Sequence, residues 1–90
     1  MCKIELSPSA QDAVSLHRYA WKTLVDALGE YFPNEEMYVM HDEDKVLVGW
    51  IRTSMEPRAA FDRLDQFDRG FYLDWTQTSP IYITLVPIPR

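Results

Sequence analysis

The segment from Met37 to Thr53 constrains the fold more than any other part of the chain, because its pattern predicts two strands joined by a charged turn. Met37–His41 and Val46–Thr53 are rich in β-branched, aromatic and other apolar residues, a composition typical of half-buried strands. The residues between them, Asp42–Lys45, are all charged and suit a tight surface connection. Because a lone hairpin is only marginally stable in water, the rest of the chain must cover it.

The second strand of this hairpin carries apolar residues on both of its faces. Alternation places Val46, Val48, Trp50 and Arg52 on one face and Leu47, Gly49, Ile51 and Thr53 on the other. We therefore predict a central strand, with one face fully covered and the other partly so. Gly49 has no side chain, which predicts the close approach of a helix at that point.

The chain before the hairpin predicts a short strand and a long helix. Cys2–Leu6 alternates apolar and charged residues, and Ser7 followed by Pro8 is a helix start. A continuous helix is expected from Pro8 to Tyr31, ended by Pro33. Its apolar stripe comprises Ala13, His17, Trp21, Leu24, Leu28 and Tyr31.

The chain after the hairpin repeats the helix–strand order. A second helix is expected from Pro57, with Ala60, Phe61, Leu64 and Phe67 on its buried side and Gly70 as its C-terminal stop. The aromatic block Phe71–Trp75 and a polar loop follow. The last strand is expected at Ile81–Val86, and Pro87 and Pro89 should end its pairing because proline has no N–H donor.

These elements predict one α+β domain over residues 1–90, built as a two-layer sandwich. The order strand–helix–strand–strand–helix–strand favours a ferredoxin-like βαββαβ fold, with two helices on one face of a four-stranded antiparallel sheet. The alternative is an αββαβ arrangement with a three-stranded antiparallel sheet, in which Cys2–Leu6 does not pair.

Composition excludes several classes of function. The net charge of −5 and the pI of 4.8 argue against binding nucleic acid or anionic membranes, because both require an excess of Lys and Arg. Cys2 is the single cysteine, so an internal disulfide or a multi-cysteine zinc site is excluded. With no signal peptide and no membrane-spanning run in this sequence, we expect a cytoplasmic location.

The sequence offers little that could support catalysis. His17 lies in the helix stripe, where a buried histidine with one hydrogen-bond partner is favoured over a base or ligand. The consecutive residues His41–Asp44 diverge at a turn tip, and a solvated turn is favoured there over a metal site. Cys2 is expected to be a small half-buried residue rather than a nucleophile. No catalytic residue, metal or cofactor is therefore predicted, and an enzyme is not favoured.

The surplus of aromatic residues in the second half favours a protein interface. Exposed aromatic patches mark contact surfaces, where Tyr and Trp are favoured anchors. The residues predicted for the interface are Trp50, Phe71, Tyr72, Trp75 and Tyr82. For the aromatic residues of Phe71–Trp75, an equal alternative is that they cap the open end of the sandwich.

Two hypotheses about function follow from these observations. The first is a non-catalytic protein-binding module, in the form of an acidic inhibitor or antitoxin-like partner that binds a basic protein or forms a homodimer. The alternative is a small-ligand sensor or minor enzyme, with a pocket between helix and sheet near His17 and Trp21.

The segment from Pro57 to Leu85 resembles a group of small uncharacterised bacterial α+β proteins. The matching residues are FDRGFYLDW at Phe67–Trp75, an FDxxxxLD-type block, and IYITLV at Ile81–Val86. The resemblance covers roughly the C-terminal third of the chain. It implies a self-contained α+β domain and a place beside bacterial toxin genes, and it assigns no catalytic residue.

Overall fold

The computed structural model describes residues 2–90 and contains four strands and four α-helices. The strands are β1 (Lys3–Leu6), β2 (Glu36–His41), β3 (Leu47–Thr53) and β4 (Ile83–Pro89). The helices are α1 (Pro8–Ser15), α2 (Arg18–Tyr31), α3 (Pro57–Phe67) and α4 (Leu73–Thr76), with a π-helical turn at Asp68–Tyr72 that joins the last two. The predicted α+β class and strand–helix order are confirmed.

The sheet is mixed, which corrects the predicted antiparallel sheet. Its strand order is β1-β2-β3-β4, with β1 parallel to β2, β2 antiparallel to β3, and β3 parallel to β4. Each helical segment joins two adjacent parallel strands, so the all-antiparallel sheet expected of a ferredoxin-like sandwich does not form. The alternative three-stranded sheet is also wrong, because Lys3–Leu6 pairs with Glu36–Val39.

The two strand–helix–strand units have opposite hands. Both helical segments contribute to one core on the same face of the sheet, and both connections step in the same direction across it. The two parallel pairs nevertheless run in opposite directions, because β2 and β3 are antiparallel. One of the two crossovers must therefore be left-handed, the hand found in only about 2% of such connections.

The first helix is broken, although the sequence predicts it to be continuous. Ser7 caps α1 as expected, with its Oγ accepting a hydrogen bond from the Ala10 N–H at 3.2 Å. The helix ends at Ser15, and His17 takes the non-helical values φ −137° and ψ 56° before α2 begins. The break turns His17 out to solvent and leaves Leu16 79% exposed. The predicted core position of His17 is therefore wrong.

The helix beginning at Pro57 continues past Gly70, where the sequence predicts a stop. Gly70 lies in the π-helical turn and has no positive φ. A Cβ at this position would overlap the phenol oxygen of Tyr31, so the glycine leaves room for a neighbouring helix rather than ending its own. Phe61 was predicted to be buried, but it is 56% exposed on α3.

Strand β4 contains both prolines that were predicted to end it. The two sides of β4 have different hydrogen-bond partners. On the outer side, the hydroxyl of Tyr72 binds the N–H and the C=O of Ile83. On the inner side, the Arg90 N–H donates to the Thr53 carbonyl of β3. Odd-numbered residues of β4 thus direct their backbone groups away from β3. Pro87 and Pro89 share this parity, so their missing donors fall on the outer edge and the strand still pairs through Pro89.

The core lies between the sheet and the helices that cover one of its faces. Its largest fully buried side chains are Phe32, Phe67, Leu24, Leu28, Met37, Ile51, Ile83 and Val39. Gly49 faces this core beneath neighbouring side chains rather than beneath a helix backbone, contrary to the prediction. A Cβ there would lie 2.8 Å from the Met37 sulfur and 2.9 Å from Leu85 Cδ2.

Within residues 2–90, no helix is both long enough and apolar enough to cross a membrane.

Candidate functional site

Within residues 2–90, no helix covers one of the two faces of the sheet, and we refer to this face as the open face. Strand alternation and the pairing register determine which side chains it displays. They are Lys3 and Glu5 from β1, Glu36, Tyr38 and Met40 from β2, Val48, Trp50 and Arg52 from β3, and Thr84, Val86 and Ile88 from β4. Tyr38 is 40% exposed and Met40 is 36% exposed, whereas Trp50 is half-buried.

The register arranges the open face in rows of different chemistry. Glu36 lies opposite Arg52, with Lys3 beside Glu36, so one row alternates in charge. The next row places Tyr38 opposite Trp50, and the third places Met40 opposite Val48. Over the β2–β3 hairpin, the open face therefore changes along the strands from charged to aromatic to aliphatic. On the edge strands, Glu5 lies beside Tyr38 and Ile88 lies beside Arg52.

The charged end of the open face contains a shallow depression of about 200 Å³. Lys3, Glu5, Glu36, Tyr38 and Arg52 line it, together with Met37. The ion pairs within the described part of the chain are Lys22–Asp26, Arg69–Asp65 and Arg90–Glu35, so none joins the charged residues of this depression. Its two basic and two acidic side chains are therefore available to groups outside the molecule.

Three residues of the predicted aromatic interface form part of the helical layer. Phe71, Tyr72 and Trp75 are all half-buried. The Phe71 and Tyr72 rings lie 5.6 and 5.9 Å from that of buried Phe67, and the Trp75 ring lies 5.7 Å from that of Phe71. These contacts give the three residues a packing role, while their participation in an interface stays a prediction.

Tyr72 also holds the outer edge of the sheet. Its hydroxyl accepts a hydrogen bond from the Ile83 N–H at 3.0 Å and donates one to the Ile83 carbonyl at 2.5 Å. Burial raises the pKa of the Tyr72 phenol, although the hydrogen bond to Ile83 acts in the opposite direction. The phenol is therefore a neutral structural group rather than a candidate acid or base.

Of the remaining interface candidates, Trp50 lies apart from this cluster, whereas Tyr82 lies beside it. Trp50 is near the middle of the open face, between its cross-strand neighbours Tyr38 and Val86. Tyr82 precedes β4 and is 64% exposed, with its ring 6.4 Å from that of Tyr72. The five predicted residues thus occupy two surfaces, and only Trp50 lies among the strand residues of the open face.

The pocket predicted near His17 and Trp21 corresponds to a groove beside the helix break. The groove has a volume of about 320 Å³, and His17, Lys45, Pro80 and Tyr82 are among the residues that line it. Trp21 is half-buried and does not line it. The structure therefore separates the two residues that the sequence had grouped together.

The other candidate residues have local structural roles. Burial raises the pKa of the Cys2 thiol, with Glu35 adding to the effect, which opposes formation of a nucleophilic thiolate. Asp42 Oδ1 accepts hydrogen bonds from the N–H groups of Asp44 and Val46 in the hairpin turn. His41 Nδ1 lies 3.0 Å from Ser9 Oγ. Over residues 2–90, no group of three or more His, Cys, Asp or Glu side chains is placed to hold a metal ion.

Sequence reasoning missed Tyr38 and Met40 as candidates for the site. Both lie on the predicted first strand of the hairpin, where alternation with buried Met37 and Val39 separates them onto the other face. The missing information was which face the helices cover, because apolar residues occur on both faces of β3.

Comparison with known proteins gave no match to a family model, to a curated protein or to a solved structure. The resemblance of Phe67–Trp75 and Ile81–Val86 to small bacterial proteins therefore stays a prediction.

Proposed function

We propose that this chain is a non-catalytic protein-binding domain that binds its partner through the open face of the sheet. The observation that carries the proposal is the row of Tyr38, Trp50 and Val86, which no helix covers. Tyr and Trp are the residues that contribute most often to binding energy at protein interfaces. The neighbouring aliphatic row extends the apolar area through Met40, which is 36% exposed, whereas Val48 opposite it is buried.

The charged row of the open face supports specific binding of one partner rather than non-specific binding of many proteins. Lys3, Glu36 and Arg52 border the aromatic row on one side and lack mutual ion pairs. Polar groups at the rim of an apolar patch fix the orientation of a partner and exclude partners of unsuitable charge. The open face has both of these parts.

The form of this function predicted from the sequence is an acidic inhibitor or antitoxin-like partner in the cytoplasm. Its support is the net charge of −5, which attracts a basic protein at long range. The acidic turn Asp42–Asp44, at one end of the hairpin, is exposed and would contribute to that attraction.

The test compares partner capture by the wild type and by open-face variants. Tagged Tyr38→Thr and Trp50→Thr proteins, singly and together, are used to capture partners from the source lysate. Threonine keeps the strand propensity while removing the aromatic area. We expect a stoichiometric partner held by the wild type to be lost from the double variant.

Tyr19→Thr is the matched control, because Tyr19 is 86% exposed on α2, away from the open face. It should retain the partner. Far-UV circular dichroism would establish that the variants are folded. Undiminished capture by the folded double variant would overturn the assignment of binding to the open face.

A small-ligand sensor is the second candidate, and the groove beside His17 favours it. An imidazole, the Lys45 ammonium and the Tyr82 ring line one groove of about 320 Å³. Thermal-shift screening against metabolites and metal ions tests this candidate. A ligand that raises the melting temperature of the wild type but not of His17→Ala would favour it, whereas a screen without such a ligand would count against it.

A further inference from the structure

We infer that the open face binds a second copy of this chain, in a face-to-face dimer whose two-fold axis runs along the hairpin between β2 and β3. This inference rests on the proposed function, because it names the partner of the same surface. It is carried by the order of residues on the two strands and by the distribution of charge over the molecule.

The hairpin residues of the open face are complementary across its long axis. Glu36 lies opposite Arg52, Tyr38 opposite Trp50, and Met40 opposite Val48. A two-fold rotation about an axis parallel to the strands exchanges the positions of β2 and β3. Each residue lies opposite a partner on the neighbouring strand of its own sheet. After the rotation, it also faces that same partner residue in the second copy.

Within the hairpin, the resulting contacts join opposite charges and like chemistry, whereas Lys3 and Glu5 of the edge strand β1 face Ile88 and Val86 of β4 in the second copy. Glu36 of each copy faces Arg52 of the second copy, so the dimer contains this pair twice. Tyr38 faces Trp50 in the middle of the interface, and Met40 faces Val48 at the other end. Sheets packed in this way lie about 10 Å apart with their strands about 30° from parallel. The long Glu36 and Arg52 side chains can span the displacement that this rotation causes.

The other in-plane two-fold axis gives a poor interface. An axis perpendicular to the strands would place the row of Lys3, Glu36 and Arg52 against Met40 and Val48 of the second copy. The two central charged groups, Glu36 and Arg52, would then lose water without gaining partners, which is unfavourable. The chemical gradient along the strands therefore selects the first axis.

Charge favours a second copy over a basic protein at this face. Two basic residues, Lys3 and Arg52, balance two acidic ones, Glu5 and Glu36, so the whole net charge of −5 lies outside the open face. Repulsion between two acidic copies is therefore weakest when their open faces meet. A strongly basic partner would instead find its complement elsewhere, for example at the turn Asp42–Asp44.

The area of the open face sets the strength of the dimer. Four strands about 4.8 Å apart, each rising about 3.3 Å per residue, present roughly 400 Å² of flat surface per copy. Stable interfaces typically bury about 800 Å² per partner. We therefore expect a reversible dimer whose population rises with concentration.

The experiment measures molecular mass by sedimentation for the wild type, Glu36→Arg, Arg52→Glu and an equimolar mixture of the two variants. The wild type should move from 10.6 kDa towards twice that mass as concentration rises. Each variant alone places two like charges against each other, so its self-association should weaken roughly tenfold or more. The mixture should recover dimerisation, because positions 36 and 52 are both basic in one variant and both acidic in the other.

The mixing step separates contact between chains from contact within a chain. Glu36 and Arg52 are also neighbours in one sheet, but mixing two chains changes nothing within either of them. Glu30→Arg and Arg58→Glu alter the net charge by the same amounts at helical positions away from the open face and should leave dimerisation unchanged. If either single variant fails to fold, the double exchange E36R/R52E, which restores both pairings, should dimerise alone.

A wild type that stays monomeric up to its solubility limit would overturn the inference, as would folded variants whose mixture does not recover dimerisation. Neither result would overturn the proposed function if a different protein still required Tyr38 and Trp50 for its capture. Conversely, capture that ignores these two residues would overturn the proposed function whatever the mass of the chain.

Discussion

The hydroxyl of Tyr72 occupies the hydrogen-bonding position that a fifth strand would take beside Ile83. It satisfies both the N–H and the C=O of that residue, at 3.0 and 2.5 Å. Tyr72 is the last residue of the π-helical turn at Asp68–Tyr72, which joins α3 to α4. A single side chain thus joins the helical layer to the edge of the sheet.

Tyr72→Phe should lower the free energy of unfolding by about 1–2 kcal/mol. The substitution keeps the packed ring but leaves the two polar groups of Ile83 without their partner. Urea unfolding followed by fluorescence measures the change. Tyr82→Phe, at a residue 64% exposed, is the control and should be nearly neutral. Equal effects of the two variants would contradict the role assigned to Tyr72.

Lys45→Gly should stabilise the hairpin turn by about 0.5 kcal/mol. Lys45 has a φ of 62°, a left-handed conformation that costs a non-glycine residue about 1 kcal/mol. Part of the gain is offset because glycine has more freedom in the unfolded chain. Thermal unfolding of Lys45→Ala provides the control, since alanine removes the charge but keeps the strain. A stabilisation by alanine as large as that by glycine would show that charge, not backbone conformation, matters.

Gly49→Ala should destabilise the protein by about 1–3 kcal/mol through overpacking. The added Cβ would lie 2.8 Å from the Met37 sulfur, 2.9 Å from Leu85 Cδ2 and 3.3 Å from Ile83 Cδ1, so several buried side chains must move. Gly29→Ala is the matched comparison. The nearest atom outside its helix lies 3.9 Å away, so alanine should stabilise α2 by about 0.5–1 kcal/mol. Chemical denaturation of both variants should give shifts of opposite sign.

Asp68→Asn should raise stability at neutral pH but not in acid. Burial raises the pKa of the Asp68 carboxyl above its usual 3.8, and the nearby Asp65 carboxylate adds to this. The folded state therefore disfavours ionised Asp68, and stability associated with this group is present below pH 3.8 and lost as pH rises through the folded pKa. Urea midpoints at pH 7 and pH 3 measure the difference. Asp62→Asn, at an exposed position on α3, changes the net charge by the same amount and is the control.

Features determined by neighbouring residues could be predicted from the sequence. The Ser7 cap, the start of α1 at Pro8 and the hairpin around Asp42–Lys45 depend on contacts within a few residues, and the structure contains all three. The helix break at His17 could not be read in this way. The apolar stripe of the first helix continues through that position, whereas the chain must turn to pack α1 and α2 on one sheet.

The order and direction of the strands could not be predicted from the sequence. The incorrect predictions for the sheet and the residues missed at the site follow from this. The same order of elements fits an antiparallel sheet or the observed mixed sheet, because the hydrophobic pattern does not state which strands are neighbours. Prolines at positions 87 and 89 signal a strand end unless the strand is known to lie at an edge. The surplus of aromatic residues indicates Trp50 as a candidate, whereas Tyr38 and Met40 can be recognised only from the structure, in which no helix of residues 2–90 covers their face.

The two edges of the sheet differ in a way that limits uncontrolled growth. On β4, the hydroxyl of Tyr72 occupies the backbone groups of Ile83, and Pro87 and Pro89 have no N–H donor. Among the outward-facing residues of β4, only Leu85 therefore has both a free N–H and a free C=O. On β1, Lys3 and Ser7 bind the neighbouring strand, so Ile4 and Leu6 direct their backbone groups outwards. A fibril needs two adhesive edges on every molecule, because each copy must receive one neighbour and offer itself to the next. This chain has one such edge, so strand addition between folded copies would stop after a single step.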